Sequence, residues 1–261
     1  MELFVPEDSI VRKIWSRGDT VLLVFAGASA EFALNKAVDW LYFTGRLPAD
    51  PLGRLFSTVA YARQIIFSPC DAALAAIDRI ASIHKGVEQA RADRIPDAAY
   101  LDVLFLLIDY SIRSFELLER KLSRQEKGEI FVVFRRVGVR MGLRGLPDNY
   151  EDWVIRRARY LAENLVRSEF TVDLYERYRK ALGAFRYRLL LQIQVLLVPS
   201  GVRGLLLLPR LSPLWPVVQA YRLVRLLHLD GRVRVLLLPR KYRPLVSSLD
   251  VIYKPGTPKH V

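Results

Sequence analysis

"DPLGRLFSTVAYARQIIFSPCDAALAAIDRIASIHKGV", residues 50–87, decides the fold. Its apolar residues recur every three to four positions on both sides of a single Ser68-Pro69 break, which is the period of a helix and not of a strand. Asp50-Pro51 reads as an N-cap followed by proline in the first turn. Ser68-Pro69-Cys70-Asp71 repeats that logic, with Ser68 expected to cap the second helix and Asp71 to complement its positive end. The stretch therefore predicts two consecutive helices joined by a short turn, packed as antiparallel neighbours.

The same period extends outward. "AYLDVLFLLIDYSIRSFELLERKL" (99–122) and "GEIFVVFRRVGVRMGL" (128–143) are both helical in pattern. Ser123-Arg124-Gln125-Glu126 fits a capping box, and Thr171 is placed to cap the helix containing "VDLYERYRKAL". Strand alternation is scarce, with "RVRVLLL" (232–238) the best instance and still ambiguous. The fold class predicted is all-α: one compact multi-helix domain over residues 1–200, with a basic, Pro/Leu-rich segment over 201–261 packed on it or peripheral to it.

Composition bounds the function. The chain has 261 residues, 52% of them hydrophobic, enough for a substantial core. One cysteine, Cys70, excludes an intramolecular disulfide and a cysteine-based zinc site. No run of about 18 uncharged apolar residues occurs, and the N-terminus lacks a secretory pattern, so the expected location is cytoplasmic, with a peripheral place on a membrane surface as an option. The net charge of +13 sits mainly in the tail: from Gly201 onward eleven basic residues face two acids, Asp230 and Asp250.

Common catalytic signatures are missing. The sequence has no GxGxxG, P-loop, HExxH or CxxC. With three histidines, a site that needs several of them is nearly excluded, whereas one that needs a single histidine, such as haem iron, is allowed. His84 lies in line with Ile77, Ile80 and Val87. It is either a half-buried core histidine with one partner or a ligand. On the preceding helix Arg54, Thr58, Tyr61 and Ile65 share a face; that face is either solvated or presents a cation and two hydroxyls to an enclosed ligand.

"DPLGRLFSTVAYARQIIFSP" followed by "IASIHKGV" resembles the rubber oxygenase (latex clearing protein) and MpaB-type oxygenase family. The resemblance extends more weakly through "LPDNYEDWVIRRARYLAENLVRSEFTVDLYERYRKAL" and "LVPSGVRGLLLLPRLSPL". It implies an all-helical haem b oxygenase, with His84 as iron ligand and Arg54 and Thr58 looking toward the haem as catalytic and cofactor-binding residues. Tyr61 is a further cofactor-binding candidate for the same pocket. Ser57 stands where the rubber oxygenase carries a lysine able to reach iron, which implies an open distal position. The chain departs from the family in lacking a histidine in "AEFALNKAVDWLY" and in "YLDVLFLLIDYS". The implied partners are O2 and a lipophilic small molecule.

Two rivals stand beside this reading. One is a non-catalytic helical protein on anionic membranes, with Arg222, Arg225, Arg232 and Arg234 as the charges that meet the surface; against it, Leu205–Leu208 and Leu236–Leu238 would dock on the body. The other is nucleic-acid binding, raised by a pI of 10.0 but opposed by the dilution of the basic residues with leucine and by the lack of a binding motif. His228 falls near an expected helix end, and His260 is the penultimate residue.

Overall fold

A computed structural model describes residues 2–43 and 49–226. Among these the fold is all-α and no strand forms; the only β-type pairs are the isolated bridges Leu3–Pro69 and Asn35–Leu165. The helices run α1 (Ile10–Trp15), α2 (Gly18–Phe32), α3 (Asp39–Phe43), α4 (Pro51–Phe67), α5 (Cys70–Arg91), α6 (Asp97–Leu118), α7 (Arg124–Arg140), α8 (Tyr150–Glu163), α9 (Glu169–Leu197), α10 (Ser200–Leu205) and α11 (Trp215–Leu226).

Two of these helices are buried on nearly every side, and they form the centre. α2 is closed off from Gly18 to Val21 and again from Val24 to Glu31. α6 is closed off from Leu104 to Ile112. A helix that is apolar all round belongs inside, and α2 and α6 satisfy each other by packing together. Their approach is close because residue 27 is glycine. A Cβ there would lie 2.2 Å from the Tyr110 ring. Around this pair stand the α4–α5 hairpin, α7, α8 and α9, with α1 seated against α2, α4 and α7. Trp15 of α1 fills the core edge-on to Phe25 and donates from Nε1 to Ser111 Oγ at 3.2 Å.

The caps follow the sequence in part. The Asp50 carboxylate accepts from the Gly53 amide at 3.0 Å. Ser123 and Glu126 form the reciprocal capping box. Ser68 does not cap α5: it ends α4, and Pro69 holds the N-cap position of α5 without a side-chain bond. The turn is pinned instead by the N-terminal strip, where the Phe4 amide donates to the Ser68 carbonyl and the Cys70 amide to that of Glu2. Thr171 shares the cap of its helix from the N3 position, where its hydroxyl accepts from the Ser168 amide at 3.0 Å. Ser168 is the N-cap, and the Thr171 hydroxyl donates to the Ala33 carbonyl at 2.7 Å, tying α9 to the end of α2. α9 is kinked at Gly183, whose φ of +74° suits glycine.

Among the described residues, those just after 200 pack on the core. Val198 and Val202 are buried in the main core, and Leu205, Leu206 and Leu208 pack against it. α11 docks on α6. Arg222 and Arg225, expected to face a membrane, face the body instead. Arg222 donates to the Glu119 carbonyl, and Arg225 reaches Glu119 Oε1 at 3.0 Å and Thr20 Oγ1 at 3.2 Å. Asp19 and Glu119 attract them inward. "RVRVLLL", Arg232, Arg234, Leu236–Leu238, His228 and His260 lie outside the described residues.

Buried polar groups knit the centre. The Arg157 guanidinium (α8) bonds both oxygens of Glu31 (α2) at 2.5 and 2.6 Å and reaches Asp109 (α6) at 3.0 Å. Tyr110 donates to Glu31 at 3.0 Å, and Arg113 closes on Asp109 at 2.7 Å. Asp102 accepts from the side-chain amides of Asn35 and Asn164, joining α6 to the turns after α2 and α8. Burial raises its pKa from 3.8 to about 6, against the lowering pull of those two amides.

A raised folded-state pKa means that the fold prefers the protonated acid. The stability this gives is complete below the ordinary carboxylate value and lost as pH rises through about 6. Asp102→Asn is therefore expected to flatten the melting-temperature profile between about pH 4 and 7, a difference on the order of 2 kcal/mol. An unchanged profile contradicts the assignment.

Candidate active site

The α4–α5 hairpin brings Arg54 and His84 together. Arg54 is in the first turn of α4 and His84 in the second half of α5. Because the helices run antiparallel about Ser68-Pro69, the two meet far from the turn, and the Arg54 charge acts on the His84 ring. Arg54, Thr58, Tyr61 and His84 are all half-buried. Along α5 burial fades toward this end: Ala73, Ala76 and Ile77 are buried, Ile80 and His84 are partly covered, and Ile83 is exposed.

His84 is kept neutral. Burial lowers its pKa from 6.5, and the Arg54 cation lowers it further, while Glu88, one turn on, raises it. The ring stands edge-on to Tyr100 at a centroid distance of 5.1 Å. Its Nδ1 is enclosed and has no hydrogen-bond partner, so the carboxylate or carbonyl expected to orient a ligating imidazole is not in place. Nε2 is not enclosed and has no hydrogen-bond partner among the described residues. Glu88 is the nearest carboxylate in sequence, and it is already engaged: it accepts from the Ile95 amide at 3.0 Å and the Tyr100 hydroxyl at 3.4 Å. Burial, and then that charge, raise the Tyr100 pKa.

The hydroxyls of α4 are turned to their own helix. Ser57 and Thr58 both donate to the Arg54 carbonyl, at 2.7 and 3.2 Å. Their lone pairs remain able to accept, but donation by Thr58 to a bound ligand requires it to leave that carbonyl first. At the far end of α5, Arg91 fixes α3: it pairs with Asp39 at 2.9 Å and stacks 4.0 Å from the Trp40 ring.

Glu88 and Tyr100 were not singled out from the sequence. The i, i+4 spacing of His84 and Glu88 was a legible signal for the first; Tyr100 is on the next helix, beyond the reach of periodicity. The Glu31–Arg157–Asp109 group was also missed, although Arg157 is four residues from buried Trp153 and so lies on an apolar stripe as His84 does. Elsewhere, an open groove of about 570 Å³ between α7 and the start of α8 is lined by residues such as Phe131, Val132 and Tyr150 and shares none with the His84 group.

These residues can be tested against the cofactor that the sequence resemblance implies. Haem iron needs a neutral imidazole nitrogen that is not enclosed and carries no competing hydrogen bond, and a cation nearby suits the propionates. His84 and Arg54 meet those requirements, so the donor set fits. Iron of this kind takes one protein ligand, so the lack of any group of three or more His, Cys, Asp or Glu among the described residues does not bear on it.

The family model described as "ER-bound oxygenase mpaB/B'/Rubber oxygenase, catalytic domain" matches residues 15–230. The chain belongs to this family. No curated protein and no solved structure matches it. The matched span runs from Trp15 past the end of α11, so it takes in the α2–α6 centre, the hairpin and the docked helix together. As a member of the mpaB/rubber oxygenase family the chain carries an oxygenase catalytic domain, with O2 and an oxidisable substrate as its partners.

The titration of His84 checks the local electrostatics. Arg54→Gln is expected to raise the imidazole pKa and Glu88→Gln to lower it, read by proton NMR of the ring. In the wild type a lowered histidine pKa stabilises the fold above the ordinary value of 6.5, and this stability is lost as pH falls below it. Shifts of the opposite sign would show that other charges govern the ring.

Proposed function

We propose that this mpaB/rubber oxygenase family member is a haem b-dependent oxygenase that uses O2 on a lipophilic small molecule, with His84 Nε2 as the protein ligand to iron. The observation that carries the reading is the His84 ring itself. It is held neutral by burial and by Arg54, and neither nitrogen has a hydrogen-bond partner among the described residues. The enclosed Nδ1 without a partner costs stability in a protein that uses the ring only for packing. Nε2, open and without a competing hydrogen bond, is the nitrogen left for a ligand.

The chain's own residues then have distinct tasks. The α5 backbone fixes the height of His84, and the Tyr100 ring limits its rotation from one side. Arg54 keeps the imidazole unprotonated and supplies a cation for a carboxylate on the cofactor. Thr58 and Ser57 offer acceptor lone pairs beside it, and Tyr61 adds a hydroxyl on the same stripe. The haem, when bound, supplies the activation of O2, and the protein sets access and polarity around it. Peripheral contact with an anionic membrane is the setting in which such a substrate is met.

Protein expressed with added haem precursor and purified tests this. About one haem per chain is expected, together with O2 uptake that depends on an added lipophilic substrate. Correctly folded, haem-supplied protein that stays colourless overturns the reading.

A further inference from the structure

α11 is docked the wrong way round for a helix that faces water. Its inward side carries Tyr221, Arg222 and Arg225 along with Val218. Tyr221 donates to Asp19 Oδ2 at 3.0 Å, and the buried Arg225 guanidinium lies between Asp19 and Glu119 at 3.4 and 3.0 Å. Its outward side carries Pro216, Val217, Ala220 and Leu223, all exposed, with Trp215 at the edge. A helix resting on a soluble domain normally turns its apolar stripe inward and its charges out. Here buried ion pairs hold the orientation, and such pairs add little net stability because their desolvation is costly. They do fix which face looks out.

The apolar surface continues through the loop before α11. Leu207 and Leu211 are 74% and 85% exposed, and Trp215 is 57% exposed. Leu207 is held there at a φ of +56°, an unfavourable value for leucine. The surroundings are basic. Between Val198 and Leu229 the chain carries Arg203, Arg210, Arg222 and Arg225 and no acid, and of these Arg210 is exposed. Arg210 is exposed inside the patch, and half-buried Arg203 donates to its carbonyl at 3.5 Å. Exposed leucines and a tryptophan beside an exposed arginine, with Asp19 and Glu119 engaged by Arg225 on the inward side, complement one surface in particular.

We infer that the outward face of α10, α11 and their connecting loop is a docking surface for an anionic lipid bilayer. Leu207, Leu211, Trp215, Val217 and Leu223 enter the headgroup boundary, and Arg210 pairs with lipid phosphate. No helix among the described residues is long and apolar enough to cross a membrane, so this contact is interfacial. It rests on the membrane contact proposed above and names the surface that makes it, while the haem reading is tested apart from it because vesicle binding needs no haem.

Trp215 makes the test specific, since Trp15, Trp40 and Trp153 are all buried. The full chain is mixed with vesicles of phosphatidylcholine alone or with added phosphatidylglycerol. Flotation and a blue shift of Trp215 emission are expected with the anionic vesicles, weakening as salt rises. Leu211→Ser with Leu223→Ser should reduce binding by about tenfold or more while melting temperature and helical signal stay unchanged. Arg210→Glu should reduce binding to anionic vesicles. Equal flotation of wild type and the leucine pair overturns the proposal. So does a lowered melting temperature of the leucine pair with faster proteolysis after Leu226, which would show that residues 227–261 cover the face. A chain of doubled mass in lipid-free solution that halves in the leucine pair overturns it too, in favour of a second copy.

Discussion

Arg157→Leu is expected to destabilise the protein by about 3–5 kcal/mol, the cost of leaving buried charges without their partner. The side chain of Arg157 is 5% exposed, and those of Glu31 and Asp109 are 3% and 10% exposed. Its pKa is raised by these two carboxylates in spite of burial, so it remains a cation. Three helices, α2, α6 and α8, depend on that one guanidinium. Removing it leaves the Glu31 carboxylate with Tyr110 alone and Asp109 with half-exposed Arg113. Arg157→Lys keeps the charge but not the forked geometry, and a smaller loss of about 1–2 kcal/mol is expected. Urea unfolding measures both, and a loss under 1 kcal/mol for Arg157→Leu would show that the two acids are protonated or hydrated in the native state.

The second large effect concerns cofactor retention. His84→Gly removes the imidazole proposed to hold iron and leaves a space that free imidazole can enter. The variant is expected to lose haem by about a hundredfold or more in affinity, and added imidazole should restore much of it. His84 is half-buried at the sparsely covered end of α5, where residue 86 is already an uncrowded glycine. The fold therefore tolerates the change apart from a helix-propensity cost of about 1 kcal/mol. This separates loss of a ligand from loss of structure. Haem retention equal to wild type would move the iron ligand elsewhere.

The fold was largely legible from pattern. Helical periodicity predicted the α4–α5 hairpin, α6 and α7, because each buries an apolar stripe or more and keeps strand alternation out. Helix starts were less so. Ser68 and Thr171 are both capping types, yet the N-terminal strip pins the first turn and Ser168 takes the second cap. Tertiary contacts, which a local rule does not see, decided the first; in the second Thr171 shares the cap as the N3 residue that accepts from the Ser168 amide. The docking of Arg222 and Arg225 was hidden for the same reason, since Asp19 and Glu119 are over a hundred residues away.

Of the candidate residues, the approach of Arg54 to His84 was legible from spacing and the bonding around them was not. Spacing placed Arg54, Thr58 and Tyr61 on one stripe and His84 on the neighbouring helix. That Thr58 spends its proton on the Arg54 carbonyl, and that Nδ1 of His84 is left without an acceptor, depends on rotamers and neighbours. Arg157 shows the complementary failure. An arginine in line with a buried tryptophan is the same kind of anomaly as a histidine in line with isoleucines, and its partners come from helices far off in sequence.

One measurement tests the central claim most directly: titration of the haem-free full chain with haemin, followed at the Soret band, for wild type and His84→Gly. A sharp endpoint near one equivalent is predicted for wild type, with none for the variant until imidazole is added. An endpoint shared by both proteins, or absent from both while circular dichroism reports an intact helical fold, would contradict His84 as the iron ligand.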